Sequence, residues 1–146
     1  MNYQITTDLA ALRKAAECKV AEAVQKLALL PSTGRSILIP VQKNLLEEIR
    51  AVYRIDITIT NQYITSIYTE HGLFDSVFNK LKRLFAGTEI TDHVQLRNEI
   101  QAIGKAFIEV CEACKTGKLT ASDISAAKGI KIMKREYKTY LKVYNP

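Results

Sequence analysis

The sequence predicts an all-α protein: an antiparallel four-helix bundle carrying an additional C-terminal helix. Three observations lead there. Apolar residues recur at steps of three and four along most of the chain, the period of one helix face. Pro31, Pro40, Gly72, Gly87 and Gly117 fall between those stretches, where helices stop or start. The 146 residues are 47% apolar and 25% charged, the balance of an ordinary globular domain long enough to build a core without disulfides or metals.

The first helix is expected over 6–30. Thr7 is its candidate N-cap, Asp8 favours the helix dipole, and Leu9, Leu12, Ala16, Val20, Ala23, Leu27 and Leu30 share one face. Pro31 ends it, and Ser32, Thr33 and Gly34 supply turn chemistry. A second helix is expected from Pro40, with Leu45, Leu46, Ile49, Val52 and Tyr53 inward. The stretch 54–60 carries two signals. Its β-branched alternation suits a strand, and with the following YITSIYT it allows a hairpin over about 54–68, an α+β alternative. A helical stripe also continues through Tyr53, Ile57, Thr60, Ile64 and Ile67, with no Gly or Pro over 41–71, and it favours one long helix.

His71 and Gly72 form a break before a shorter third helix over 73–86. The fourth helix starts at Thr91 or Asp92 and carries a four-three seam of Leu96, Ile100, Ile103, Phe107, Val110 and Cys114, ending at Thr116 and Gly117. The last helix, capped by Thr120 or Ser122, has Ala126, Ile130, Met133, Tyr137, Tyr140 and Tyr144 as its seam. Residues 1–117 read as the bundle and 118–146 as a basic helical extension of the same domain.

Charge is the informative feature. The net charge is +6, yet residues 1–114 hold 13 cations and 13 anions. Residues 115–146 hold eight cations against Asp123 and Glu136, so the whole excess lies at the C-terminal end. There Lys128, Lys131, Arg135, Lys138 and Lys142 step by three and four into one stripe beside the tyrosine seam, a track for phosphates. Lys80, Lys82 and Arg83 make a second cluster on the third helix. At seam spacing the tyrosines read as core residues, although tyrosines beside cations can also stack on bases.

Catalytic signatures are missing, so the chain is expected not to be an enzyme and to need no metal or cofactor. Cys111 and Cys114 form a C-x-x-C late in a helix, away from the helix N-terminus that activates a redox pair. With only Cys18 besides, they read as reduced, small apolar residues. His71 and His93 border helix ends and lack nucleophile or metal-ligand spacing. Glu47, Glu48, Glu109 and Glu112 read as polar-face residues; Asp56 would approach the seam if the second helix were continuous, with Arg54 as a partner. No apolar run reaches the length of a membrane span, and the opening MNYQITTDLAAL lacks the basic and apolar regions of a signal peptide. The expected location is the cytoplasm, away from membranes.

Several stretches are similar to small four-helix-bundle proteins. These are Leu30-Pro31-Ser-Thr-Gly-Arg35, LLEEIRAVY from Leu45, LKRLFAG from Leu81, and the acidic–apolar–Gly–basic run from Glu99 through Lys105 to Phe107. Over about residues 27–115 the chain resembles the family of the accessory variability determinant of diversity-generating retroelements. The resemblance implies a homo-oligomer, a pentameric barrel of bundles, that binds a reverse transcriptase and its template RNA without catalysis. Carried over by residue, it implies that Arg83 and Lys105 contact nucleic acid. Three departures are the lack of tryptophan, the β-branched run at 54–60, and the extension over 119–146. The expected function is therefore a nucleic-acid-binding accessory protein that meets an RNA or DNA backbone through its basic surfaces. The alternative is a protein–protein bundle docking on an acidic partner.

Overall fold

A computed structural model describes the backbone of residues 2–29, 37–68 and 93–144, and the side chains of 8–29, 37–68 and 94–144. Six helices occupy these residues: α1 (Asn2–Ala28), α2 (Leu38–Val52), α3 (Asn61–Tyr68), α4 (His93–Lys115), α5 (Ala121–Ile124) and α6 (Ala127–Tyr144). The protein is an all-α bundle; among the described residues there is no strand, and the hairpin alternative is not adopted. The third helix expected over 73–86 lies outside the described residues.

Helix α4 is the hub. Its predicted seam is buried except for the half-buried Cys114, and so are Asn98, Glu99, Ala102, Ala106, Ile108 and Cys111, giving it a buried surface far wider than one stripe. The extra width accommodates three neighbours, α1, α2 and α6. Helix α1 runs antiparallel to α4: Val20 faces Gly104, Glu17 pairs with Lys105, and Arg13 reaches Glu109 and Glu112. Helix α2 runs parallel to α4, since Leu45 also faces Gly104 while Tyr53 donates to Glu112. A Cβ on Gly104 would come within 2.7 Å of the Val20 Cγ2 and 3.1 Å of the Leu45 Cδ2. The missing side chain is what lets the three helices meet there.

The first helix carries the predicted face, with Ala16, Val20 and Leu27 buried. It is already helical at Thr7, which is therefore no N-cap, and it ends at Ala28. Pro40 sits in the first turn of α2 rather than at its first position, still among the amides that have no intrahelical acceptor.

The long helix expected across 41–71 is broken in two. Tyr53 caps α2, and Arg54 takes a left-handed φ of +56°. The Arg54 N–H donates to Ala51 O and the Ile55 N–H to Arg50 O, which is a Schellman closure built without glycine. Helix α3 restarts where the Thr60 hydroxyl accepts from the Tyr63 N–H at 3.0 Å. Between the two helices, Ile55 and Ile59 are buried and Ile57 half-buried, while Asp56 and Thr58 face solvent. Burial alternates with period two here, yet the segment is neither the expected helix nor a strand, and the Ile57 N–H donates locally to Ile55 O; it packs on the core instead of pairing in a sheet. Glu47 holds it there, accepting from the Ile59 N–H at 2.5 Å and from the Arg50 Nε at 2.8 Å. Burial disfavours the Glu47 charge, but these donors outweigh it and keep the carboxyl below its ordinary range.

A second Schellman closure ends α4, here on Gly117 at φ +84°, with bonds from Gly117 N–H to Cys114 O and from Lys118 N–H to Ala113 O. Thr120 and Asp123 then form a capping box, the Thr120 hydroxyl accepting from the Asp123 N–H and the Asp123 carboxylate from the Thr120 N–H. That box caps only the four-residue α5. The chain turns again at Ser125, so the single helix expected from Thr120 is split, and Ala126 is exposed rather than part of the seam. Gly129 makes the turn possible: a Cβ there would strike the Asp123 and Ile124 carbonyl oxygens and meet the Ile124 Cα at 2.6 Å.

Candidate nucleic-acid interface

Helix α6 has two opposed faces. Gly129, Met133 and Tyr137 are buried and Ile130, Tyr140 and Tyr144 half-buried, packed toward α3, α4 and α5. Lys128, Lys131, Arg135, Lys138 and Lys142 are all exposed. At about 100° per residue, the middle of the cationic arc lies roughly 170° from the middle of the packed arc. The stripe expected beside the tyrosines therefore points away from them. Among the described residues, Lys128, Lys131, Lys138 and Lys142 make no ion pair. Arg135, its side chain 70% exposed, has only its sequence neighbour Glu136 at 3.4 Å.

The tyrosines explain how this face is aimed. The ring of Tyr137 meets Tyr68 of α3 edge-on, with centroids 5.4 Å apart. Gln42 of α2 donates to the Tyr68 hydroxyl at 2.5 Å. Tyr140 donates to Glu109 of α4 at 2.7 Å. Arg13 of α1 forks across α4, one nitrogen donating to Glu109 and the other to Glu112, each at 2.7 Å. Glu112 also accepts from the Tyr53 hydroxyl at 3.2 Å. These contacts tie α6 directly to α3 and α4, and through them to α1 and α2.

Electrostatics follow the same contacts. Burial disfavours the Glu109 charge, yet Arg13 and Tyr140 more than compensate and hold the carboxyl below its usual range. Burial, then the bond to Glu109, pushes the Tyr140 hydroxyl up to about 12. The hydrogen bond to Glu109 leads a strong upward shift of Arg13. This network is not evident in the sequence, where Glu109 and Glu112 read as polar-face residues. The available signal was their spacing of three beside a wholly apolar run, which leaves two carboxylates at the margin of a core and in need of a cation.

The other predicted groups are not brought to the stripe. Lys105 is half-buried, and its ammonium is engaged by Glu17. Lys80, Lys82 and Arg83 lie outside the described residues, as does His71. His93 opens α4. Asp56 is exposed, because the segment that holds it is not helical. Cys18 is exposed, Cys114 half-buried, and Cys111 buried; burial raises the Cys111 thiol, the opposite of activation. A groove of about 430 Å³ lies between α1 and α2, but its residue Glu47 is already bonded to Arg50 and Ile59. No group of three or more metal-ligating side chains converges among the described residues, and none of the described helices is long and apolar enough to cross a membrane.

What the exposed face of α6 offers is a rigid line of five cations on a helix whose opposite side is fixed to the bundle. Such a line attracts polyanions and contacts phosphates without distinguishing bases. The chain matches no family model, no curated protein and no solved structure.

Proposed function

We propose that this protein is a non-catalytic nucleic-acid-binding accessory protein whose contact surface is the outward face of α6. One observation carries the reading: five exposed cations in a single row, with their helix anchored from behind. Cations held this close repel one another, which mildly weakens an isolated helix. A polyanion relieves that repulsion and releases its counterions on binding.

The resemblance over residues 27–115 extends the proposal to a homo-oligomer acting beside a reverse transcriptase in the cytoplasm, with RNA as the nucleic acid. On that extension Arg83 is an additional contact, joined on charge alone by Lys80 and Lys82, whereas the ammonium of Lys105 is engaged by Glu17. The α6 stripe does not depend on it, since these residues lie beyond the resembling stretch.

Charge reversal tests the proposal. Replacing Lys131, Arg135 and Lys138 together with Glu is expected to abolish a gel shift of RNA or DNA at moderate salt while the far-ultraviolet circular dichroism stays unchanged. An unchanged shift would overturn it. Absence of any nucleic-acid affinity in the native protein would favour an acidic protein partner on the same face.

A further inference from the structure

Resting on that reading, we infer that the ligand of α6 is a duplex, held along its phosphate backbone, rather than a single strand. Three features of the face carry this. The first is straightness: Lys128 to Lys142 spans about 21 Å of helix axis, with cations at steps of three and four residues. A duplex presents one phosphate charge per about 1.7 Å of axis, so a rigid row of this length meets an equally rigid row of charge and neither partner has to be ordered.

The second feature is what the face lacks. Single strands are held in grooves where successive bases stack on aromatic rings, and this supplies much of their affinity. On α6 the aromatics are turned inward: Tyr137 is 6% exposed, Tyr140 is bonded to Glu109, and Tyr144 is half-buried. None of the described outward positions of α6 carries an aromatic ring, and the five cations are all exposed. A flexible strand laid there would lose conformational freedom and gain no stacking from the described outward positions of α6.

The third feature is what the exposed side of α6 carries. Four of its five cations are lysines, compact point charges suited to phosphates, while α3, α4 and α5 cover the opposite side. The helix therefore meets a duplex through its phosphate backbone. The binding mode is thus independent of sequence and strongly dependent on salt.

Fluorescence anisotropy of the full chain against labelled probes tests this, with a 20-base-pair DNA duplex of mixed sequence, the same duplex in RNA, and a 40-nucleotide thymidine strand. The expected result is at least tenfold tighter binding of duplex than of the strand, with little change when the duplex sequence is scrambled. The logarithm of the association constant should fall against the logarithm of salt with a slope of magnitude no greater than about 4.5 for five contacts. K131E/R135E/K138E should lose duplex binding with its melting temperature retained. Equal or tighter binding of the thymidine strand would overturn the inference while leaving the nucleic-acid reading in place. No binding of any probe would overturn both.

Discussion

The two faces of α6 obey different rules although they share one backbone. The inward face is specified atom by atom, by a glycine that no side chain can replace, a tyrosine bonded to a carboxylate, and an arginine that braces that carboxylate from α1. The outward face is specified only by sign and spacing. Its cations have no partners among the described residues apart from the long Arg135–Glu136 contact, so substitutions there leave the packing untouched. The lesson is that fold and ligand attraction are separable within a single helix.

Substitutions can break that contrast, beginning with the inward face. Gly129→Ala is expected to cost the most, about 3 kcal/mol, because its Cβ would collide with backbone that has no way to move aside; chemical denaturation would measure it. Unchanged stability would mean that α5 does not pack there. Arg13→Leu comes next. It strands two carboxylates whose side chains are 31% and 21% exposed, so the loss should be about 2 kcal/mol, below that of a fully buried pair.

Glu109 of that network, together with Glu47 beside Arg50, sets the response to acid. Glu47 and Glu109 have folded-state values below the ordinary 4.5, so the folded chain binds fewer protons than the unfolded chain. Their contribution is complete above the ordinary carboxylate range and is lost as pH falls through the lowered values. Arg13→Leu should shrink that acid-dependent part of the melting temperature.

Tyr140→Phe removes one bond to a charged group near the surface, and about 1 kcal/mol is expected from thermal melts near neutral pH. Because the Tyr140 hydroxyl is raised from 10.0 to about 12, the unfolded chain ionises first, and stability conferred by the neutral hydroxyl is lost as pH rises across that interval. The variant should lose less stability there than the parent. The smallest effect on folding is expected from Lys131, Arg135 and Lys138 changed together to Gln, within about 0.5 kcal/mol of the parent. On binding, this variant should show the largest effect of the four.

Much of this contrast was legible in the sequence, and what was not has a physical cause. Helix faces were readable where apolar period and helix ends agreed, as in α1 and in α4, which stops at Gly117 as expected. The end of α2 was not, because Arg54 takes the left-handed position that glycine usually fills, and an arginine carries no such signal. Residues 55–60 offered both periods, and tertiary packing of Ile55 and Ile59 decided between them. The last helix was split at a point where Thr120 and Asp123 promise a start, since only the contact around Gly129 reveals a second one.

The basic stripe itself was fully legible because it depends on spacing alone. Its opposition to the tyrosines needed the packed seam, and the fate of Lys105 needed Glu17, a residue 88 positions away in the chain. Nothing local marks a cation that is already neutralised across a helix interface.

That the outward face of α6 meets the polyanion, and Lys105 does not, is tested most directly by the salt dependence of duplex binding in three proteins: the parent, K131Q/R135Q/K138Q, and K105Q. Each phosphate contact contributes about 0.9 to the slope. The triple variant should therefore lose about 2.7 of it, and K105Q should keep the parent value. A triple variant with the parent slope, or a K105Q protein with a reduced one, would contradict the account.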